Sequence, residues 1–223
     1  MVINKKEDFI KLTSEYEINP LIARLLANRG IVNKKEASLF LKGTVNDLND
    51  ASLMKDMKKA VSIIKDAIEE KKKIVIYGDY DCDGVCSTTI LYRTLKKLGA
   101  NFDYYIPNRE DEGYGMNSDR IRKLKSEGAE VILTCDNGIS AMEQVEVAKD
   151  LGLTVIITDH HDIPYIEKDG KRINVVPNSD CVINPKQENC EYPFKELCGA
   201  GVALKFSMEF VNSMKRSFSE FYD

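Results

Sequence analysis

No apolar run in these 223 residues approaches the roughly 20 that a helix needs to cross a bilayer. The opening Met1-Val2-Ile3-Asn4-Lys5-Lys6-Glu7 lacks the apolar segment of a secretory signal. Both absences argue against a membrane protein, and the cytoplasm is the expected location. C-x-x-C spacing is missing: of the six cysteines, Cys82 and Cys86 lie beside an acidic cluster, Cys135 ends a β run, and Cys181, Cys190 and Cys198 are too far apart, so the thiols are expected to be reduced rather than zinc-bound or crosslinked. Excess positive charge is also missing. The formal net charge of -4 argues against a protein that coats nucleic acid, because such binding needs Lys and Arg to displace counterions. A local basic channel stays open, with Lys58-Lys59, Lys71-Lys72-Lys73 and Lys96-Lys97 as candidates and solvated helix faces as the alternative. There is no internal repeat and no low-complexity tract. What remains is an ordinary globular composition, 43% hydrophobic and 30% charged, long enough for one domain with a smaller appendage.

Three short β-rich runs stand out: Ile74-Val75-Ile76-Tyr77, Val131-Ile132-Leu133-Thr134 and Val155-Ile156-Ile157-Thr158. Each is followed by a helical pattern, and a fourth run covers Phe102 to Pro107. Helices are expected from Met57 to Ile68, from Gly84 to Gly99, and over 118–127 and 140–151. Alternation of this kind implies an α/β fold with a doubly wound, mostly parallel sheet. Lys171 to Pro193 reads as loop with a short strand at Cys181-Val182-Ile183-Asn184, and a last helix runs from Gly199 through Phe210 and Met214. Residues 1–50 read as a small helical N-terminal lobe. Pro20 and Gly30 bracket one helix, and Asn33 with Glu36 starts a second whose apolar side is Ala37, Phe40 and Leu41. The α/β domain then occupies 51–223.

The acids carry the chemistry. In an open parallel sheet ligands bind beyond the carboxyl ends of the strands, so Asp79, Asp136 and Asp159 are expected on one rim. Asp79, Asp81 and Asp83, spaced two apart, point to one side if the segment stays extended until Gly84. Carboxylate oxygens suit Mg²⁺ or Mn²⁺, and an imidazole from His160 or His161 moves the preference toward Mn²⁺. Two ions bridged by Asp136 could activate water at a phosphoryl centre. A calcium loop is the nearest decoy, but its twelfth position is Ile90 where a bidentate Glu is needed, and a β run precedes it. Turn chemistry explains any single Asp. It does not explain three alternate acids plus both histidines of the chain side by side after another.

The triplet Asp159-His160-His161, the pair Asp81-Cys82-Asp83 and the lone Asp136 resemble the DHH phosphoesterase superfamily, and more narrowly the RecJ family of single-strand-specific 5′-to-3′ DNA exonucleases. Similar segments run from Leu21 to Gly30, Tyr77 to Gly84, Ile106 to Arg109 with Glu112 to Gly115, and Pro193 to Ala203. The resemblance implies hydrolysis of phosphodiester bonds in single-stranded DNA, in repair and recombination, using two Mn²⁺ or Mg²⁺ ions. It makes Asp81, Asp83, Asp136 and His160 metal ligands, and Asp79 a ligand or a supporting acid. His161 then faces the scissile phosphate, and Asp159 orients a histidine by hydrogen bonding. Asn137 and Gly138 shape the loop after Asp136. Arg109, ahead of Gly113 and Gly115, is the expected phosphate clamp, a surface arginine beside Glu110 and Asp111 being the alternative. Single-stranded DNA is the expected partner, with single-strand-binding protein or a helicase as further candidates; the oligomeric state is left open. The family also carries a metal-binding Asp downstream of Gly199-Ala200-Gly201, which this chain lacks, so the domain reads as incomplete at its C-terminal end, with one of the two ions or neither retained. Nothing in the spacing supports Asp180 or Asp223 as a substitute. Two rival readings follow: a DHH phosphatase or oligonucleotidase for short nucleotides, and a catalytically weak module that binds DNA or a protein partner.

Overall fold

Strand β1 (Ile74–Tyr77) shows how the sequence divides its core. All four residues are buried, with Ile74 and Ile76 joining one apolar cluster while Val75 and Tyr77 join another. Successive side chains of a strand face opposite sides, so a strand apolar throughout needs cover on both faces. The computed structural model describes residues 6–16, 18–110 and 115–217. Strands β2 (Phe102–Tyr105), β3 (Val131–Cys135), β4 (Thr154–Thr158) and β7 (Cys181–Ile183) join β1 in a five-stranded sheet of order β2-β1-β3-β4-β7, parallel throughout. On one face lie α4 (Met57–Glu69), α5 (Cys82–Lys97) and α8 (Gly199–Ser213), contributing Ile64, Leu91, Phe206 and Phe210 to the first cluster. On the other lie α6 (Ser118–Ser126) and α7 (Met142–Asp150), contributing Ile121 and Val145 to the second.

Strand order reverses between β1 and β3. The chain moves outward from β1 to β2, then returns to the other side of β1 to lay down β3. The two loops leaving β1 and β3 therefore diverge to opposite faces and open a crevice, the position where doubly wound sheets bind ligands. Two short 3-10 turns, Val45–Asp47 and Ala51–Leu53, precede α4.

The chain divides into two compact units, Met1–Asn49 and Asp50–Asp223. The first contains α1 (Lys6–Tyr16), α2 (Pro20–Asn28) and α3 (Lys34–Lys42). Asn19 and Asn33 cap the second and third, and Gly30, at φ +80°, ends the turn after α2. Leu12, Ala23, Leu26, Ala27 and Ala37 form this unit's core. Phe40 and Leu41, expected on the apolar side of α3, are exposed instead.

Two further expectations are corrected. The segment before Gly84 is not extended, because Asp81 caps α5 and Asp83 sits in its first turn. The stretch after β4 holds an antiparallel hairpin, β5 (Tyr165–Lys168) with β6 (Lys171–Asn174), around Asp169-Gly170, both at positive φ. The lysine runs stand away from the crevice: Lys71 to Lys73 lead into β1, Lys96 and Lys97 end α5, and Lys59 Nζ donates to the Asp180 carbonyl at 2.6 Å.

Candidate metal centre

Asp79 follows β1 by one residue and is 1% exposed, yet neither of its carboxylate oxygens has a hydrogen-bond partner. Burial pushes its pKa up, with the neighbouring Tyr80 amide pulling the other way. A buried carboxylate with no donor in good hydrogen-bonding geometry is expensive, and a cation is the natural relief. The local backbone enforces this burial. A Cβ on Gly84 would lie 2.6 Å from the Asp79 carbonyl oxygen and 2.7 Å from its Cβ, so only glycine lets the first turn of α5 close over Asp79. Asp81 meanwhile accepts the Gly84 amide at 2.8 Å and stays exposed.

Asp136 directly follows β3, in the left-handed region at φ +62°, tolerable for Asp and held by its amide's bond to the Thr158 carbonyl at 3.0 Å. The turn Asp136-Asn137-Gly138 is locked behind it. Asn137 donates from Nδ2 to the carbonyls of Tyr77, Gly78 and Cys135 at 2.9 to 3.2 Å, joining β1 to β3 across the crevice. Burial first, then repulsion from Asp83, Asp81 and Asp159, raises the Asp136 pKa to about 8.

The triplet after β4 supplies the histidines. Asp159, 1% exposed, accepts the amides of His160, His161 and Ile139 and the His161 Nδ1 at 2.7 Å. Burial pushes its carboxyl upward, but these donors outweigh burial and hold the pKa below the usual carboxylate value. The same bond raises the His161 pKa against burial, and it leaves that ring's Nε2 as the outward nitrogen. His160 Nε2 lies 3.0 Å from Asp136 Oδ1 and 3.6 Å from Asp83 Oδ2. Two groups of ligand atoms result, each within 4.8 Å: Asp79, Asp81 and Asp136, and Asp136, His160 and His161. Asp136 belongs to both, the position of a bridging ligand. Acceptor oxygens with imidazole nitrogen suit Mn²⁺ or Mg²⁺, so these residues fit the implied ions.

Asp83, expected as a ligand, is at the same rim, 3.6 Å from His160 Nε2, but is in neither group. Its oxygens accept the Gly199 and Ala200 amides at 2.6 and 2.7 Å, so it anchors the N-terminus of α8 to the rim. Gly199, which the sequence marks only as a small residue starting the last helix, lies against the centre: a Cβ there would fall 2.7 Å from Asp136 Cγ. Arg109, past β2, places its guanidinium 5.6 Å from the centre of the Tyr80 ring, on the β2 flank of the acids. Gly115 adopts φ +82°, while Gly113, with Glu112 and Tyr114, lies outside the described residues, as does Asp223. Asp180 is at the wrong end. It bonds the Val155 amide near the start of β4 and Lys149 Nζ at 2.7 Å, so it cannot complete the rim. All six cysteines are free thiols, with Cys82, Cys86 and Cys198 exposed.

The DHH family, N-terminal domain, matches residues 73–221. Among curated proteins, the single-stranded-DNA-specific exonuclease RecJ of Bacillus subtilis (strain 168) is 47% identical over 202 residues, 90% of this chain and 25% of the relative. The protein of the same name from Escherichia coli (strain K12) is 37% identical over 189 residues, 84% of this chain and 30% of the relative. Among solved structures, exonuclease RecJ bound to manganese superimposes with a TM-score of 0.61 at 29% identity, covering 74% of this chain and 39% of that one. The chain thus spans a quarter to a third of the length of these curated relatives. Because the matched segment contains every acid and imidazole of the rim, from Asp79 to His161, the chain belongs to the DHH family as a RecJ-like member.

Proposed function

We propose that this chain carries the metal-dependent catalytic centre of a single-strand-specific DNA exonuclease that works from the 5′ end, in the cytoplasm, in DNA repair and recombination. The observation that carries it is the convergence of Asp79, Asp81, Asp136 and His160, with the Asp79 oxygens buried and unbonded, at the switch point of a parallel sheet. Two divalent ions held there would lower the pKa of a water and screen the phosphate charge, Mn²⁺ suiting the mixed oxygen and nitrogen donors. The remaining residues position the strand. Asp159 fixes the His161 ring so that Nε2 faces the phosphate, and Arg109, steadied on Tyr80, receives the 5′-phosphate. Single-strand-binding protein or a helicase would present the DNA.

The test is degradation of 5′-phosphorylated single-stranded DNA by the chain in Mn²⁺. Stepwise release of mononucleotides, stopped by a chelator and absent on duplex DNA, is the expected result. Cleavage confined to dinucleotides would move the assignment to a short-nucleotide phosphodiesterase, and DNA binding without cleavage to a binding module. A second expectation concerns Arg109→Ala. It raises KM for 5′-phosphorylated strands about tenfold, the loss of one charge-assisted contact, and leaves 5′-hydroxyl strands unaffected. Equal effects on both strands would reject the clamp.

A further inference from the structure

A cavity of about 240 Å³ opens beside His161, between the turn after β3, the start of α7 and the Gly115-Met116 segment. Met116, Ile139 and Ala141 give it apolar walls, Ser140 and Gln144 polar ones, and Asn137 also lines it. Its shape is set before any ligand arrives. The Asn117 amide donates to the Tyr77 hydroxyl at 3.1 Å, which ties the Met116 wall to β1, and Ile139 is tied to Asp159 through its amide at 2.9 Å.

The chemistry of the lining selects the occupant. The Asn137 amide orientation is fixed, because the three carbonyls around Nδ2 all require a donor. Its Oδ1 must therefore be an acceptor, and it is buried with no hydrogen-bond partner. Left so, it costs about 1 to 3 kcal/mol. His161, which also lines the cavity, is taken up by the scissile phosphate in the reading above, and with the Asp159 carboxylate in the lining and Glu143 complementing the positive end of α7 a second anion is a poor match. What fits is a flat group with apolar faces and an N–H edge, for which Gln144 can donate or accept as required. In a nucleic-acid strand that group is a nucleobase.

We infer that this cavity receives the base of a nucleotide adjoining the scissile phosphate. The inference rests on the reading under Proposed function, which lays a DNA strand over the acids, and it adds that the strand is held by a base as well as by phosphates. The pocket is small and rigid, so it discriminates a base from its absence more than one base from another.

An abasic nucleotide placed in turn at each of the first three positions of a 5′-phosphorylated strand tests this through kcat/KM in Mn²⁺. One position is expected to lose about tenfold with the wild-type chain, the scale of one base contact. Ala141→Phe, which fills the cavity from the partly exposed start of α7, and Gln144→Ala lose a similar factor on the intact strand. They show no further loss on the abasic one. Independent, multiplying losses at all three positions overturn the pocket. Should the chain fail to act on DNA at all, the proposed function falls but the pocket is still decided. Deoxyadenosine monophosphate is then expected to bind about tenfold tighter than deoxyribose 5-phosphate, with the difference erased by Ala141→Phe. Equal affinities reject it.

Discussion

Gly199→Ala is expected to weaken Mn²⁺ binding and DNA cleavage by at least about 100-fold, although Gly199 contributes no side chain to the centre. The added methyl would stand 2.7 Å from Asp136 Cγ and 2.8 Å from Asp136 Cβ, where non-bonded carbons need about 3.5 Å. Something must move, and neither side yields cheaply. Asp136 is held in the left-handed region by its amide's bond to Thr158 and by the locked Asn137 behind it. Helix α8 is held by Val202, Phe206 and Phe210 in the core, and its first amides grip Asp83. Overpacking of this kind costs about 1 to 3 kcal/mol, so a lower melting temperature should accompany the metal defect.

Gly201→Ala is the matched control. Its methyl would meet the Leu197 Cδ2 at 3.2 Å, the end of a side chain that can rotate away. Exchange of glycine for alanine within a helix is otherwise favourable by up to about 1 kcal/mol. Calorimetric titration of Mn²⁺ into both variants separates the contact from a general effect of altering α8. Wild-type affinity in Gly199→Ala would show that Asp136 does not hold metal in this position.

Such contacts mark the boundary of what the chain reveals unfolded. The apolar runs of β1, β3 and β4 and the patterns of α4 to α8 are local, and each forms where its period says it should. The rim follows from them, since strands of a parallel sheet end together and carry Asp79, Asp136 and Asp159 with them. The assumption that three alternate acids share one side of an extended segment was mistaken, and the correction was readable: Asp81 with Gly84 three positions on is a helix start, which the structure confirms with an amide bond to Asp81 Oδ1. Asp169-Gly170 likewise signalled the overlooked hairpin. By contrast, the bonds of Asp83 to Gly199 and Ala200, the approach of Gly199 to Asp136 and the cavity beside His161 join segments far apart in the chain. No spacing rule reaches them, because they depend on how α5 and α8 meet over the sheet.

Asp136→Asn should separate catalysis from stability more sharply than any other substitution, abolishing Mn²⁺-dependent cleavage by about 1,000-fold or more while making the metal-free protein more stable. The loss follows from the place of Asp136 in both ligand groups. The gain follows from its electrostatics. Burial and the neighbouring acids raise its folded pKa to about 8, so between pH 4 and 8 the folded state binds more protons than the unfolded one. Metal-free stability therefore falls as pH rises through that window. His161 and Asp79, both raised, act in the same direction, whereas Asp159, whose pKa is lowered, matters only in acid. Allowing half of the full linkage, because solvent at the rim screens the charge, Asp136 alone accounts for about 2 kcal/mol between pH 5 and 8.5. Melting curves in chelator should drop over that range for the wild-type chain and drop less for Asp136→Asn. Mn²⁺ should reverse the wild-type trend, since it binds the deprotonated carboxylate and its affinity grows with pH. A metal-free wild-type chain that gains stability from pH 5 to 8.5 would contradict the buried, repelled carboxylate on which the proposed metal centre depends.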